Sequence, residues 1–168
     1  SSIYFINLNT NRADKFTDAN VSAAGLNLIS KNSAYSFIGD IKVSQRDTNL
    51  MANIFRADEG DGLSYSLRVG KIKGNFKFAL ASENKSPNYN PNDLGVNFAT
   101  NIRNHSANVQ YNKYNPFWIL NSSYNRFTYS IEQDYTTGEI LKRKYSGRFN
   151  FILPSFNAIF LNMSSQIG

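Results

Sequence analysis

Cysteine is absent from the 168 residues, which removes disulfides, zinc–thiolate sites and thiol nucleophiles together. Histidine occurs once, at His105, so a multi-histidine metal site cannot be built, and a Ser-His-acid triad within the chain would have to use that ring. No Gly-x-Ser-x-Gly elbow stands near His105, which reads as a residue of an irregular strand segment rather than a base. There is no run of about 18 apolar residues. The longest are short, such as Phe151-Ile152-Leu153 and Ala158-Ile159-Phe160-Leu161. A transmembrane helix is therefore excluded, whereas a membrane strand, being short and only half apolar, is not. The expectation is a protein that is not an enzyme and holds no cofactor or metal.

Charge is scarce as well. Charged residues make up 18% of the chain, against about 25% in soluble domains, and Asn and Ser stand in their place. With 41% apolar and 14% aromatic residues, the +6 net charge does not belong to a disordered basic tail. The length fits one domain. The beginning, Ser1-Ser2-Ile3-Tyr4-Phe5-Ile6, has no basic segment and no apolar signal core, and reads as a mature form or a fragment. Helical periodicity of 3.6 appears nowhere, and strong helix formers are sparse.

What is present is alternation. Over 34–45, Tyr35, Phe37, Gly39, Ile41 and Val43 alternate with Ser36, Ile38, Asp40, Lys42 and Ser44. Leu63, Tyr65, Leu67 and Val69 alternate with Ser64, Ser66 and Arg68. Phe76, Phe78 and Leu80 alternate with Lys77 and Ala79, and Tyr145, Gly147, Phe149 and Phe151 with Ser146, Arg148 and Asn150. Period two means strand, and a slip of one residue would carry the charges to the apolar side. Weaker strands are expected over 2–8, 20–30, 95–112 with an irregularity near 103–105, 116–131 and 155–165, giving about nine strands in all.

The connections alternate in length. They are long at 9–19, 46–60, 82–94 and 132–139, and short at 31–33, 71–74, 113–115 and Pro154. Short turns on one rim and long loops on the other are the layout of outer-membrane barrels, whereas Greek-key sandwiches mix lengths at both ends. A soluble up-and-down barrel alternates too, with its apolar face inward, so face chemistry has to discriminate. Tyr and Phe among Leu, Val and Ile fit a lipid band with aromatic girdles, and Ser, Asn and Thr with a few long cations fit a wet lumen. The reading is an all-β, antiparallel up-and-down transmembrane barrel. Because single-chain bacterial barrels carry even strand numbers, residues 1–168 are expected to form part of a larger one.

On this reading Asp40, Lys42, Arg68, Lys77 and Arg148 face the lumen, with Arg103 grouped near them. Tyr35, Phe37, Ile41, Val43, Leu63, Tyr65, Leu67, Val69, Phe76, Phe78, Leu80, Tyr145, Phe149 and Phe151 face lipid. The cations would favour anions, as basic rings do in anion pores, or else pair with Asp40 and other lumen carboxylates. Cations and aromatics on opposite faces count against a nucleic-acid surface. Asp58-Glu59-Gly60-Asp61 lacks the spaced ligand series of a calcium loop and reads as a solvated acidic loop.

Asn88-Tyr89-Asn90-Pro91-Asn92-Asp93-Leu94-Gly95 is rich in turn formers. Its stretch from Tyr89 to Gly95, followed by Arg103-Asn104 and by Tyr111-Asn112-Lys113-Tyr114-Asn115-Pro116-Phe117-Trp118, resembles the C-terminal barrel region of an uncharacterised Bacteroidetes outer-membrane family. The likeness spans residues 85–130. In that family the barrel follows a module similar to family 9 carbohydrate-binding domains, the proteins are longer than this chain, and no catalytic residues are established. The resemblance thus implies a multi-pass barrel in the Gram-negative outer membrane, in contact with its lipid and lipopolysaccharide and with other outer-membrane proteins. A pore, receptor or transport component is expected, with a non-catalytic assembly subunit and a soluble ligand-binding barrel as the alternatives.

Overall fold

The computed structural model describes residues 1–10, 19–46, 61–89 and 99–168. They form nine strands: β1 (Ser2–Thr10), β2 (Ala19–Ile29), β3 (Tyr35–Arg46), β4 (Gly62–Lys71), β5 (Phe76–Lys85), β6 (Ile102–Lys113), β7 (Ser122–Asp134), β8 (Ile140–Ile152) and β9 (Ala158–Ile167). Each pairs antiparallel with the next, so that spatial order equals chain order in a single sheet. The strands run from 9 residues in β1 to 13 in β7 and β8. Globular strands are commonly about 5–6 residues long, whereas about 9–11 are needed to cross a bilayer at a tilt. No helix among the described residues is long and apolar enough to cross a membrane, which says nothing of crossing by strands.

The sheet is open. β1 and β9 do not pair with each other, so the closed ring expected of a barrel is not formed by these strands. The all-β, up-and-down antiparallel organisation is as expected.

Register makes the two faces continuous from strand to strand. Tyr35, Phe37, Ile41 and Val43 of β3 stand opposite Lys71, Val69, Tyr65 and Leu63 of β4. Val69 then meets Leu80 of β5, and Phe76 and Phe78 meet Tyr111 and Val109 of β6. The row continues through Val109–Phe127–Gly147–Met163, and Tyr129 meets Tyr145 with ring centroids 4.8 Å apart. All the residues named above as lipid-facing fall on this one face. Among the described residues the buried hydrophobic side chains are Val21 and Tyr89, so the sheet has almost no core of its own.

Three local expectations are corrected. No irregularity occurs at 103–105, where pairing with β5 and β7 is continuous. The register shift lies instead between Glu132 and Gln133 of β7. The connection expected to be long at 132–139 is a tight turn. The Asp134 amide donates to the Glu139 carbonyl at 2.9 Å, and the Asp134 carbonyl accepts from Gly138 at 3.0 Å, with Gly138 at φ +74°. The β6–β7 connection, expected short at 113–115, extends over 114–121, where Phe117 and Leu120 exchange backbone hydrogen bonds. The two longest connections, 47–61 and 86–101, lie on one rim together with the tight turn at 135–139, opposite the connections at 30–34, 72–75, 114–121 and 153–157.

Candidate functional site

The face opposite the apolar one carries the polar chemistry, because every second residue of each strand must point there. Asp40, Lys42, Arg68, Lys77 and Arg148 all lie on it by register. Asp40 stands opposite Ser66, Arg68 opposite Ala81, Lys77 opposite Gln110, and Arg148 opposite Arg126. Arg103 does not. It shares the apolar-face register with Asn84 and Gln133 near the long-loop rim, and its guanidinium lies 4.6 Å from the centroid of the Tyr135 ring. The spacing of Arg103 within β6 follows Val109 and Tyr111 by even steps, so the side was legible; the supposed irregularity obscured it.

The division of faces also weakens at the β1 edge. Tyr4, Ile6 and Leu8 of β1 and Val21 and Ile29 of β2 share the face of Asp40 and Lys42. The Tyr4 ring covers Gly25, at a position where a Cβ would collide with it.

Two groupings organise the polar face. In the first, the Lys42 ammonium is 2.8 Å from Asp40, and the Ser66 hydroxyl donates to the other Asp40 oxygen. Tyr89, from the connection after β5, is buried nearby, and this burial pushes its phenol pKa above the usual value. The segment carrying Tyr89 is pinned to β4. Ser86 N donates to Leu63 O at 2.8 Å, Leu63 N donates to Ser86 Oγ at 2.8 Å, and Tyr89 N donates to Ser86 O at 3.2 Å. Gly62 packs against the Tyr89 backbone so closely that no side chain fits. A hollow of about 430 Å³ opens beside this grouping, lined by Ser66, Arg68, Glu83, Asn104, Ser106 and Ser130 among others.

The second grouping lies nearer the short-turn rim. Cross-strand neighbours run Lys77–Gln110–Arg126–Arg148–Asn162 over β5 to β9. Arg126 Nη2 donates to Gln110 Oε1 at 3.0 Å and Arg148 Nε to Asn162 Oδ1 at 3.3 Å. A smaller hollow of about 190 Å³ lies along this row. Sequence reading missed Arg126 because the weak strand over 116–131 was not divided into faces. The alternation of Tyr124, Arg126, Thr128 and Ser130 with Asn125, Phe127 and Tyr129 carries the signal.

His105 lies on the apolar-face register opposite Ser82 and Ile131, away from either grouping. No cluster of three or more His, Asp or Glu able to hold a metal occurs among the described residues. Residues 58–60 of the acidic loop and 90–95 of the turn-rich segment lie outside the described residues.

No curated protein and no solved structure matches the chain. The model of one family, described as a domain of unknown function (DUF5916), matches residues 1–168, a wider span than the 85–130 likeness read from the sequence.

Proposed function

The chain belongs to the DUF5916 family, and we propose that it forms part of the wall of an outer-membrane β-barrel acting as a pore or receptor. One observation carries this reading. A single sheet face presents large apolar side chains on which none of the described residues packs, among them Leu80 at 51% exposure, Phe127 at 43% and Met163 at 58%. Water-soluble monomers rarely expose contiguous apolar patches beyond a few hundred Å². Lipid is the solvent that suits such a face, and the opposite face, rich in Ser, Asn and cations, suits a wet lumen.

The edges of the apolar face support the same reading. On β6 it ends at Lys113 toward the short turns and at Arg103 toward the long loops. Lys71 and Lys113 each lie 6.0 Å from an aromatic ring centroid, those of Phe76 and Phe117. Cations and aromatics at both borders of an apolar band match the interfacial anchoring of membrane strands.

The unpaired edges of β1 and β9 would be closed by further strands to an even total, with the short turns periplasmic. The Bacteroidetes origin and the preceding module similar to family 9 carbohydrate-binding domains, implied by the resemblance, belong to this proposal. So do outer-membrane lipid and lipopolysaccharide as partners, and the exclusion of nucleic acid and enzymatic chemistry.

The full-length protein decides the matter. Fractionation should recover it with outer membranes after carbonate extraction, as a band whose gel mobility changes on heating, and reconstitution in planar bilayers should give conductance. A monodisperse protein that needs no detergent would refute the membrane reading. Absence of conductance in a correctly inserted protein would favour an assembly role.

A further inference from the structure

We infer that the polar face carries a binding site for an oxyanion, the carboxylate, sulfate or phosphate group of a small solute, held between Arg126 and Arg148. The inference deepens the pore or receptor reading and rests on it only for placing the site in a lumen.

Arg126 and Arg148 are direct cross-strand neighbours. Like charges placed opposite one another destabilise a sheet unless something neutralises them. Two other cations of this face have carboxylates at hand, Lys42 with Asp40 at 2.8 Å and Lys85 with Glu83 at 3.0 Å. Among the described residues the arginine pair has only the neutral amides Gln110 and Asn162. Lys77 extends the row beyond Gln110 and adds a third positive charge.

Among the described residues relief is not close. On β7 the nearest polar-face carboxylate is Glu132, six residues from Arg126, and on β5 Glu83 is six from Lys77, roughly 20 Å along the strand in each case. The turns at 72–75, 114–121 and 153–157, which border the row, contain no Asp or Glu. The excess charge is therefore built into one level of the wall.

The chemistry fits an oxyanion. Guanidinium groups present paired donors matching carboxylate, sulfate and phosphate, and the amides of Gln110, Asn112 and Asn150 beside them supply neutral hydrogen bonds. Asn112 is buried, and its Oδ1 has no partner while its Nδ2 meets the Tyr114 hydroxyl at 3.0 Å. Because that hydroxyl both donates and accepts, the amide can turn over without losing the contact and offer a free donor instead. The hollow, about 190 Å³, is smaller than the roughly 300–1,000 Å³ of pockets that enclose whole ligands. It suits the anionic group of a solute whose remainder lies in the open trough.

The test is calorimetric titration of the full-length protein in a non-ionic, phosphate-free detergent, with inorganic phosphate, sulfate and acetate at constant ionic strength in chloride. Saturable binding is expected, weakened at least tenfold by R126Q and by R148Q and unchanged by R68Q on the same face. Heat-modifiable gel mobility checks the fold of each variant, and R126K, which keeps the charge but loses the fork, serves if the glutamine variants do not fold; it too should weaken binding. Sulfate binding without acetate binding narrows the group, and acetate binding extends it to carboxylated solutes. Absence of saturable binding, or equal loss in R68Q, overturns the site. A protein that proves soluble yet binds sulfate through these arginines would keep the site and sink the membrane reading, while a detergent-requiring protein that binds none of the three does the reverse.

Discussion

Leu80→Arg would set a guanidinium in the middle of the apolar face, between Val69 on β4 and Ala107 on β6. Its depth can be worked out from β6, where that face runs from Lys113 to Arg103. Ten residue steps at about 3.4 Å give roughly 34 Å along the strand, or about 24 Å across a bilayer at a tilt of about 45°. That matches the apolar band of about 25 Å in membrane barrels and puts Leu80 close to its midplane. Arginine at such a depth costs about 2–4 kcal/mol, a roughly 30- to 700-fold change in the folding equilibrium at 1.4 kcal/mol per tenfold. Ser106→Arg, on the polar face one residue from Ala107, is expected to stay within about 0.5 kcal/mol of the parent. Urea unfolding of the full-length protein from phospholipid vesicles reads both variants. In water the half-exposed Leu80 would tolerate Arg with little change, so a near-neutral Leu80→Arg, or a Ser106→Arg that costs as much, refutes the assignment of faces.

Three further outcomes are expected. Gly62→Ala should push the 86–89 segment off β4, because the new Cβ meets the Tyr89 backbone, and limited proteolysis should then cut faster within 86–101. Asp134→Ala removes the acceptor for the Thr136 and Thr137 amides at 2.9 and 2.7 Å and for Asn101 Nδ2 at 2.6 Å; a lower midpoint in denaturant unfolding is expected, with Asp134→Asn losing less. The Tyr89 phenol should ionise above the usual phenol range in an ultraviolet titration, and Tyr89→Phe should diminish that late component. Since its folded pKa is raised, its contribution to stability is complete below about pH 10 and is lost as pH rises through the folded value.

The sheet was legible wherever one face is apolar and the other polar. Residues 35–45 and 63–69 announce β3 and β4 because a register error there would move Asp40, Lys42 and Arg68 across the sheet. β1 was weaker, since Tyr4, Ile6 and Leu8 put apolar groups on the polar face. The turn at 135–139 was read as long because its closure depends on one side chain, the Asp134 carboxylate, gathering amides that composition does not connect to it. The arginine row was beyond reach for a different reason. Arg126 and Arg148 lie far apart in sequence, and only the pairing of β7 with β8 sets them side by side. That the chain belongs to an uncharacterised family was legible from a few turn-rich strings, while the chemistry of the polar face needed the register of the whole sheet.

With Val21 and Tyr89 as its buried hydrophobic side chains, this segment has little to gain from folding in water. If the proposed barrel is right, most of the free energy that would offset the ordering of its backbone is released only when the apolar face meets lipid. During passage through an aqueous compartment the chain would be an extended polymer of alternating greasy and polar residues, prone to pair through any strand edge it forms. On the proposed reading its biogenesis would call for an escort that holds such segments apart until the membrane becomes the second half of their core.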